Sequence, residues 1–97
     1  VVVLKGNRTV FAAPGQNPVA NPTGNHGLAT GGTGDVLSGM LGALLAHGVR
    51  AWTAVRVGVY AHGLAGDIAA DRNTPRAMTA GDVIDALPEA WRELEPA

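Results

Sequence analysis

The stretch Thr23-Gly24-Asn25-His26-Gly27-Leu28-Ala29-Thr30-Gly31-Gly32-Thr33-Gly34-Asp35 runs without a break into Val36-Leu37-Ser38-Gly39. Half of the chain's 14 glycines lie in or just after it: Gly24, Gly27, Gly31, Gly32, Gly34, Gly39 and Gly42. A segment so poor in side chains lets its backbone N–H groups approach a ligand closely. Downstream, Leu37, Met40, Leu41, Leu44 and Leu45 recur at helical spacing. They predict a helix from Gly34 to about His47, ended by Gly48. The glycines thus stand at a positive helix N-terminus, a place suited to phosphate or another anion. Asp35 sits at the lip. An anion cradle beside a carboxylate suits phosphoryl chemistry, because the N–H groups stabilise charge on phosphate oxygens while the carboxylate takes a proton from a substrate hydroxyl. On the residues alone, Asp35 reads equally well as an acid that merely suits the helix dipole. The loop is not a Walker A motif, since no Gly-Lys-Ser/Thr follows. It is not the dinucleotide fingerprint either, since Leu37 stands where the third glycine belongs.

Upstream of the loop, Val1 to Lys5 is an apolar run and predicts a strand buried on both faces. Gly6-Asn7 supplies a tight turn. Thr9 to Ala13 predicts a second strand, so residues 1–13 form a hairpin that Pro14-Gly15 ends. Residues 16–25 read as loop, with a brief extended piece at Val19-Ala20. Downstream, Ala51 to about Ala70 predicts a second helix, with Val55, Val59, His62, Leu64, Ala65 and Ile68 facing inward. Gly58, Gly63 and Gly66 are costly inside a helix and require a packing reason. Close contact with the helix that starts at Gly34 would supply one. Ser38, Gly39 and Gly42 in that helix also predict a close neighbour. Asp71 to Ala77 reads as a polar loop. Thr79 precedes Asp82 by three residues, the spacing of a capping box, and opens a third helix from Ala80 to about Glu93. Pro88 predicts a kink or break in it. His62 reads as a packed or hydrogen-bonded helix residue, Asp67 as a structural partner, His26 as an exposed loop residue and His47 as a helix-end cation. Trp52 and Trp91 read as anchors on half-buried helix faces.

Ninety-seven residues make one small domain. The formal charge of −1, with no basic run, argues against a nucleic-acid surface. The absence of Cys excludes a disulfide framework and thiolate metal sites. No apolar run approaches the roughly 18 residues of a membrane span. The expected location is the cytoplasm. The chain opens on Val1-Val2-Val3-Leu4 with no initiator Met, which predicts a C-terminal piece of a longer protein.

Four segments together resemble the C-terminal part of the ADP-dependent NAD(P)H-hydrate dehydratases. They are Val3-Leu4-Lys5-Gly6-Asn7-Arg8-Thr9-Val10, Asn21-Pro22-Thr23-Gly24-Asn25, Gly27 to Gly39, and Gly58-Val59-Tyr60-Ala61-His62-Gly63-Leu64-Ala65-Gly66-Asp67. Thr79 to Leu87 is similar to the family's last helix, so the resemblance covers nearly the whole chain. Gly32-Thr33-Gly34-Asp35 alone is shared across the ribokinase-like superfamily. Joined to Asn25 through Gly31 and to Lys5-Gly6 with Thr9, it is far more specific.

The resemblance implies an α/β fold: part of a ribokinase-like three-layer α/β/α domain, a strand hairpin followed by three helices, with the upstream half absent. It implies a repair lyase that removes water from the 6S hydrate of NADH or NADPH, driven by hydrolysis of ADP (with ATP as the alternative) to AMP and phosphate. Asp35 would accept the hydroxyl proton and also contact the hydrate. Gly32, Thr33 and Gly34 would form the hole for the transferred phosphate. Lys5, Gly6, Asn7, Arg8 and Thr9 would bind the nucleotide together with Asn25, His26, Gly27, Leu28, Ala29, Thr30, Gly31, Gly32, Thr33 and Gly34. Mg2+ is implied by the phosphates and not by any ligand cluster. A homo-oligomer, commonly a tetramer, is implied for the full-length protein. Two other readings share the same residues: a small-molecule kinase of the same superfamily, such as one for a vitamin precursor, and a non-catalytic nucleotide-binding or interaction fragment.

Overall fold

A computed structural model describes residues 1–6 and 8–95. Three short strands come first: β1 (Val2–Leu4), β2 (Val10–Ala12) and β3 (Val19–Ala20). They form one antiparallel sheet in the order β1-β2-β3, with Val3 opposite Phe11 and Phe11 opposite Val19. The hairpin and the extended piece at Val19-Ala20 are as the sequence predicts. The proposed turn residue Asn7 lies outside the described residues. A 3-10 turn follows at His26–Ala29, then helices α1 (Thr33–Ala46), α2 (Ala51–Asn73) and α3 (Ala80–Leu94).

The core has two parts, and α2 joins them. Its first half packs Val55 and Val59 against Phe11 of the central strand and Leu37 of α1, with Val3, Val19, Leu41 and Trp52 around them. Trp52 meets the Phe11 ring edge-on at a centroid distance of 5.4 Å. The second half sets Ala65 and Ala69 against Val83, Ala86 and Ala90 of α3, closed at one end by Met78. Alanines on both helices allow the close approach, so van der Waals contact rather than bulk fills this interface. The cap of α3 forms as its spacing predicts. The Thr79 hydroxyl accepts from the Asp82 N–H at 3.2 Å, and the Asp82 carboxylate accepts from the Thr79 N–H at 2.8 Å.

Several expectations are corrected. The strand at Val1 to Lys5 is not buried on both faces: Val2 is 61% exposed and Leu4 65%. β1 is the edge of the sheet, and an apolar run by itself does not say what lies over it. The predicted polar loop from Asp71 begins later, because α2 continues through Asn73 and ends where Thr74 turns to φ +77°. Arg72, on this added turn, pairs with Glu89 of α3. Pro88 does not break α3, which runs unbroken to Leu94. Val83, Ala86 and Ala90 are buried on both sides of the proline, and this packing outweighs one missing N–H. The Ile84 carbonyl that loses its donor belongs to an exposed residue and can meet water. Leu45, although it shares the helical spacing of Leu37, Leu41 and Leu44, is exposed. Gly39 and Gly42 have no close neighbour, since a Cβ built at either meets only open space. Among the α2 glycines, only Gly58 touches α1, against Leu41 and Leu44. Gly63 lies instead against Thr23, and Gly66 against Leu28.

Candidate functional site

The glycine stretch crosses α2 and is tied to it. A Cβ at Gly63 would stand 2.8 Å from the backbone carbon of Thr23, and one at Gly66 would stand 2.7 Å from the Leu28 side chain. Only glycine permits so close a crossing. Polar bonds fasten the start of the stretch. Buried Asn21 donates from Nδ2 to the Thr23 hydroxyl at 2.8 Å and to the carbonyls of Thr23 and Val59. The Thr23 hydroxyl donates to the Tyr60 carbonyl at 2.9 Å. Asp67 accepts from the Gly24 N–H and from Asn25 Nδ2, each at 3.0 Å. Asn25 Oδ1 in turn accepts from the Gly27 N–H at 2.9 Å and caps the 3-10 turn. Asp67 is therefore the structural partner that its sequence position suggested.

The end of the stretch is organised differently. Thr33 is buried, and its hydroxyl donates to the carbonyls of Leu28 and Thr30. Gly32 is the N-cap of α1, with φ +92° and no side chain to cap the helix. Among the described residues, no protein acceptor meets the N–H of Gly31, Gly32, Gly34 or Asp35. A helix end leaves such groups unsatisfied unless a side chain, water or ligand supplies the acceptor. Lys5 completes the arrangement: a Cβ at Gly34 would stand 2.9 Å from its Nζ. A cation and a fan of open N–H groups thus converge at one helix end, a combination that attracts phosphate.

These groups line a cavity of about 560 Å³. Of the residues expected to bind nucleotide, Lys5, Gly6, Thr9, Asn25, His26, Leu28, Ala29, Thr30, Gly31, Gly32, Thr33 and Gly34 line it. Gly27 lies buried just beneath, with the Pro75 carbonyl 2.6 Å from where a Cβ would be. Arg8 is exposed and away from the cavity, and Asn7 lies outside the described residues. Asp35 is exposed in the first turn of α1 and does not line the cavity. Asn21, Thr23, His62 and Gly63 do line it, although their types alone gave no reason to choose them.

His62 is buried, and its Nε2 lies 2.9 Å from the Thr33 carbonyl oxygen. Burial pushes the imidazole below its ordinary value of 6.5; the bond to Thr33 pulls it back up, and the Lys5 charge adds to the lowering. The described residues contain no group of three or more His, Asp or Glu able to hold a metal ion. Any Mg2+ here would be held by phosphate oxygens and water, as Mg2+ often is.

The family model for NAD(P)H-hydrate dehydratase matches residues 1–89. The chain is 50% identical over 95 residues to a bifunctional NAD(P)H-hydrate repair enzyme of Moorella thermoacetica, covering 98% of this chain and 18% of that protein. It is 41% identical over 95 residues to the ADP-dependent (S)-NAD(P)H-hydrate dehydratase of Bacillus subtilis, covering 98% of this chain and 34% of that protein. The crystal structure of the ADP/ATP-dependent NAD(P)H-hydrate dehydratase from Bacillus subtilis, co-crystallised with ATP/Mg2+, superposes with a TM-score of 0.88 at 41% identity, covering 96% of this chain and 34% of that one. The chain thus spans between about a fifth and a third of the length of these relatives.

Proposed function

The chain belongs to the NAD(P)H-hydrate dehydratase family, and from that premise we propose that the full-length protein dehydrates the 6S hydrate of NADH or NADPH at the expense of ADP or ATP. The observation that carries this reading is the set of open N–H groups at Gly31, Gly32, Gly34 and Asp35 with Lys5 Nζ beside them. That socket fits a transferring phosphate, and the cavity leading to it has room for the phosphate end of a nucleotide. The segment would be one part of a ribokinase-like α/β/α domain in a cytoplasmic homo-oligomer, with the exposed edge strand β1 and its apolar residues covered by the rest of that domain.

Asp35 accepts the proton of the hydrate hydroxyl. The hydroxyl oxygen attacks the terminal phosphorus of ADP, and AMP leaves. The cradle N–H groups and Lys5 offset the charge that grows on the phosphate oxygens. Phosphate then departs from the ring carbon, and loss of a proton from the neighbouring carbon restores the double bond. Mg2+, when bound with the nucleotide, neutralises phosphate charge. Asp35 follows Gly34 directly, in the first turn of α1, and is open to solvent.

The test supplies hydrated NADH and ADP to the full-length protein and follows the recovery of reduced-nicotinamide absorbance. Asp35→Asn is expected to lower kcat roughly 10²- to 10⁴-fold while nucleotide binding persists. A stable phosphorylated product with no absorbance recovery would make the protein a kinase, and Asn at full rate would remove Asp35 from the chemistry.

A further inference from the structure

The buried histidine of α2 lies directly beneath the open end of the glycine stretch. His62 is 5% exposed and lines the cavity, and its Nε2 makes the 2.9 Å contact with the Thr33 carbonyl. A carbonyl oxygen only accepts, so Nε2 carries the hydrogen and donates it. The Thr33 oxygen and the Gly34 N–H belong to a single peptide unit. No cis peptide bond occurs among the described residues, and in a trans unit the oxygen and the amide hydrogen point to opposite sides. Thr33 opens α1, so the helix and His62 together hold its oxygen, and the Gly34 N–H points to the opposite side, at the residue whose Cβ position lies 2.9 Å from Lys5 Nζ. The Thr33 hydroxyl, bonded to Leu28 and Thr30, fixes the same residue from its side chain.

We propose that His62 is a positioning residue for the phosphate cradle: through the Thr33 carbonyl, it keeps the Gly34 N–H aimed where an oxygen of the transferring phosphate would lie. This rests on the phosphoryl-transfer reading above. A donor fixed in advance does not have to reorient as charge develops, which is the source of its catalytic value. A tilt of the 33–34 peptide would spoil that, because hydrogen bonds weaken steeply as their angle departs from linear. Histidine suits the place because it donates while uncharged, so no buried cation stands beside Lys5.

The experiment compares His62→Gln, His62→Asn and His62→Leu in the full-length protein. The Gln amide nitrogen can reach the place of the imidazole Nε2, the Asn amide falls short of it, and Leu fills the space without a donor. In His62→Leu, kcat is expected to fall about tenfold or more with the nucleotide KM changed by less than about threefold; His62→Gln is expected to stay within about threefold of wild type, and His62→Asn to resemble Leu. On titration with inorganic phosphate, the Gly34 amide resonance is expected to shift in wild type and in Gln, and not in Leu. A residue that served only packing would lower the melting temperature and leave kcat of the folded enzyme intact, so a folded Leu variant with wild-type kcat overturns the proposal. Should Leu not fold, equal kcat in Gln and Asn overturns it, as does a wild-type Gly34 resonance indifferent to phosphate. A wild-type protein without dehydratase activity would defeat the functional reading alone, since the phosphate titration judges His62 separately.

Discussion

The two ends of the glycine stretch use the same kind of backbone in opposite ways. At the Gly24–Thr30 end, four amides are bonded within the protein: Gly24 to Asp67, Gly27 to the Asn25 side chain, Leu28 to the Asn25 carbonyl and Thr30 to the Gly27 carbonyl. At the Gly31–Asp35 end, four amides have no acceptor among the described residues, and the one nearby cation, Lys5, adds to their charge. Helix α3 differs again, since the Thr79–Asp82 box gives its Asp82 amide a side-chain acceptor. Helix α2 also lacks a side-chain cap and begins in exposed residues. Glycine content alone therefore does not make a binding loop. One end is a fastening and the other a socket, and the difference lies in which acceptors the surrounding helices bring.

The largest expected effect comes from cutting the fastening. Asp67→Ala removes the acceptor for both the Gly24 N–H and Asn25 Nδ2. Hydrogen bonds to a charged group contribute about 1.5–3 kcal/mol each, so a loss of roughly 2–4 kcal/mol is expected in chemical denaturation, allowing for partial hydration of a half-buried site. Gly63→Ala should come next. Its methyl would press on the Thr23 backbone, which cannot swing aside as a side-chain tip can. Overpacking of this kind costs about 1–3 kcal/mol. If either variant were as stable as wild type, the fastened end would not be fastened by these contacts.

Gly34→Ala sharpens the comparison from the other end. Here the added methyl meets only the far end of Lys5, a flexible chain that can move away. Stability is expected to change by less than about 1 kcal/mol, in the range of ordinary surface substitutions and of the gain from replacing a helical glycine. Affinity for inorganic phosphate is expected to fall several-fold, because the displaced ammonium no longer stands over the amides. Isothermal titration and denaturation of the same sample separate the two. Lost stability with phosphate affinity intact would reverse the assignment of socket and fastening.

How much of this was readable beforehand depended on distance along the chain. The hairpin, the helix after Gly34 and the cap at Thr79 and Asp82 are local patterns, and each appears where its residues place it. The open amides at residues 31–35 could be singled out because those residues lie together in the sequence. What lies over a surface could not be. Val2 and Leu4 look like core and are exposed, while Gly39 and Gly42 look like contact points and face open space. The partners of Gly63 and Gly66 come from Thr23 and Leu28, some forty residues earlier, and no periodicity in α2 could name them. Pro88 misled for the opposite reason: its local cost is real, but alanine packing along α3 exceeds it. His62 was rightly read as a bonded helix residue. Its bearing on the socket appeared only when the bond was seen to end on the Thr33 carbonyl.

The smallest effect is a pH dependence at the socket end. Burial lowers the folded-state pKa of His62, with Lys5 contributing and the Thr33 bond opposing. Above pH 6.5, His62 is neutral in both the folded and unfolded chain, and its full share of stability is present. As pH falls below that value, the unfolded chain takes up the proton first, so stability drops until the lower folded value is reached and then levels off. One proton limits the slope to about 1.4 kcal/mol per pH unit, and only part of it is realised across so narrow a window. Denaturant midpoints measured between pH 7.5 and 5 should therefore decline in wild type and stay flatter in His62→Gln, which cannot titrate. Equal slopes in the two proteins would mean that the imidazole is not shielded from solvent beneath the cradle, and the distinction between the two ends would then rest on the open amides alone.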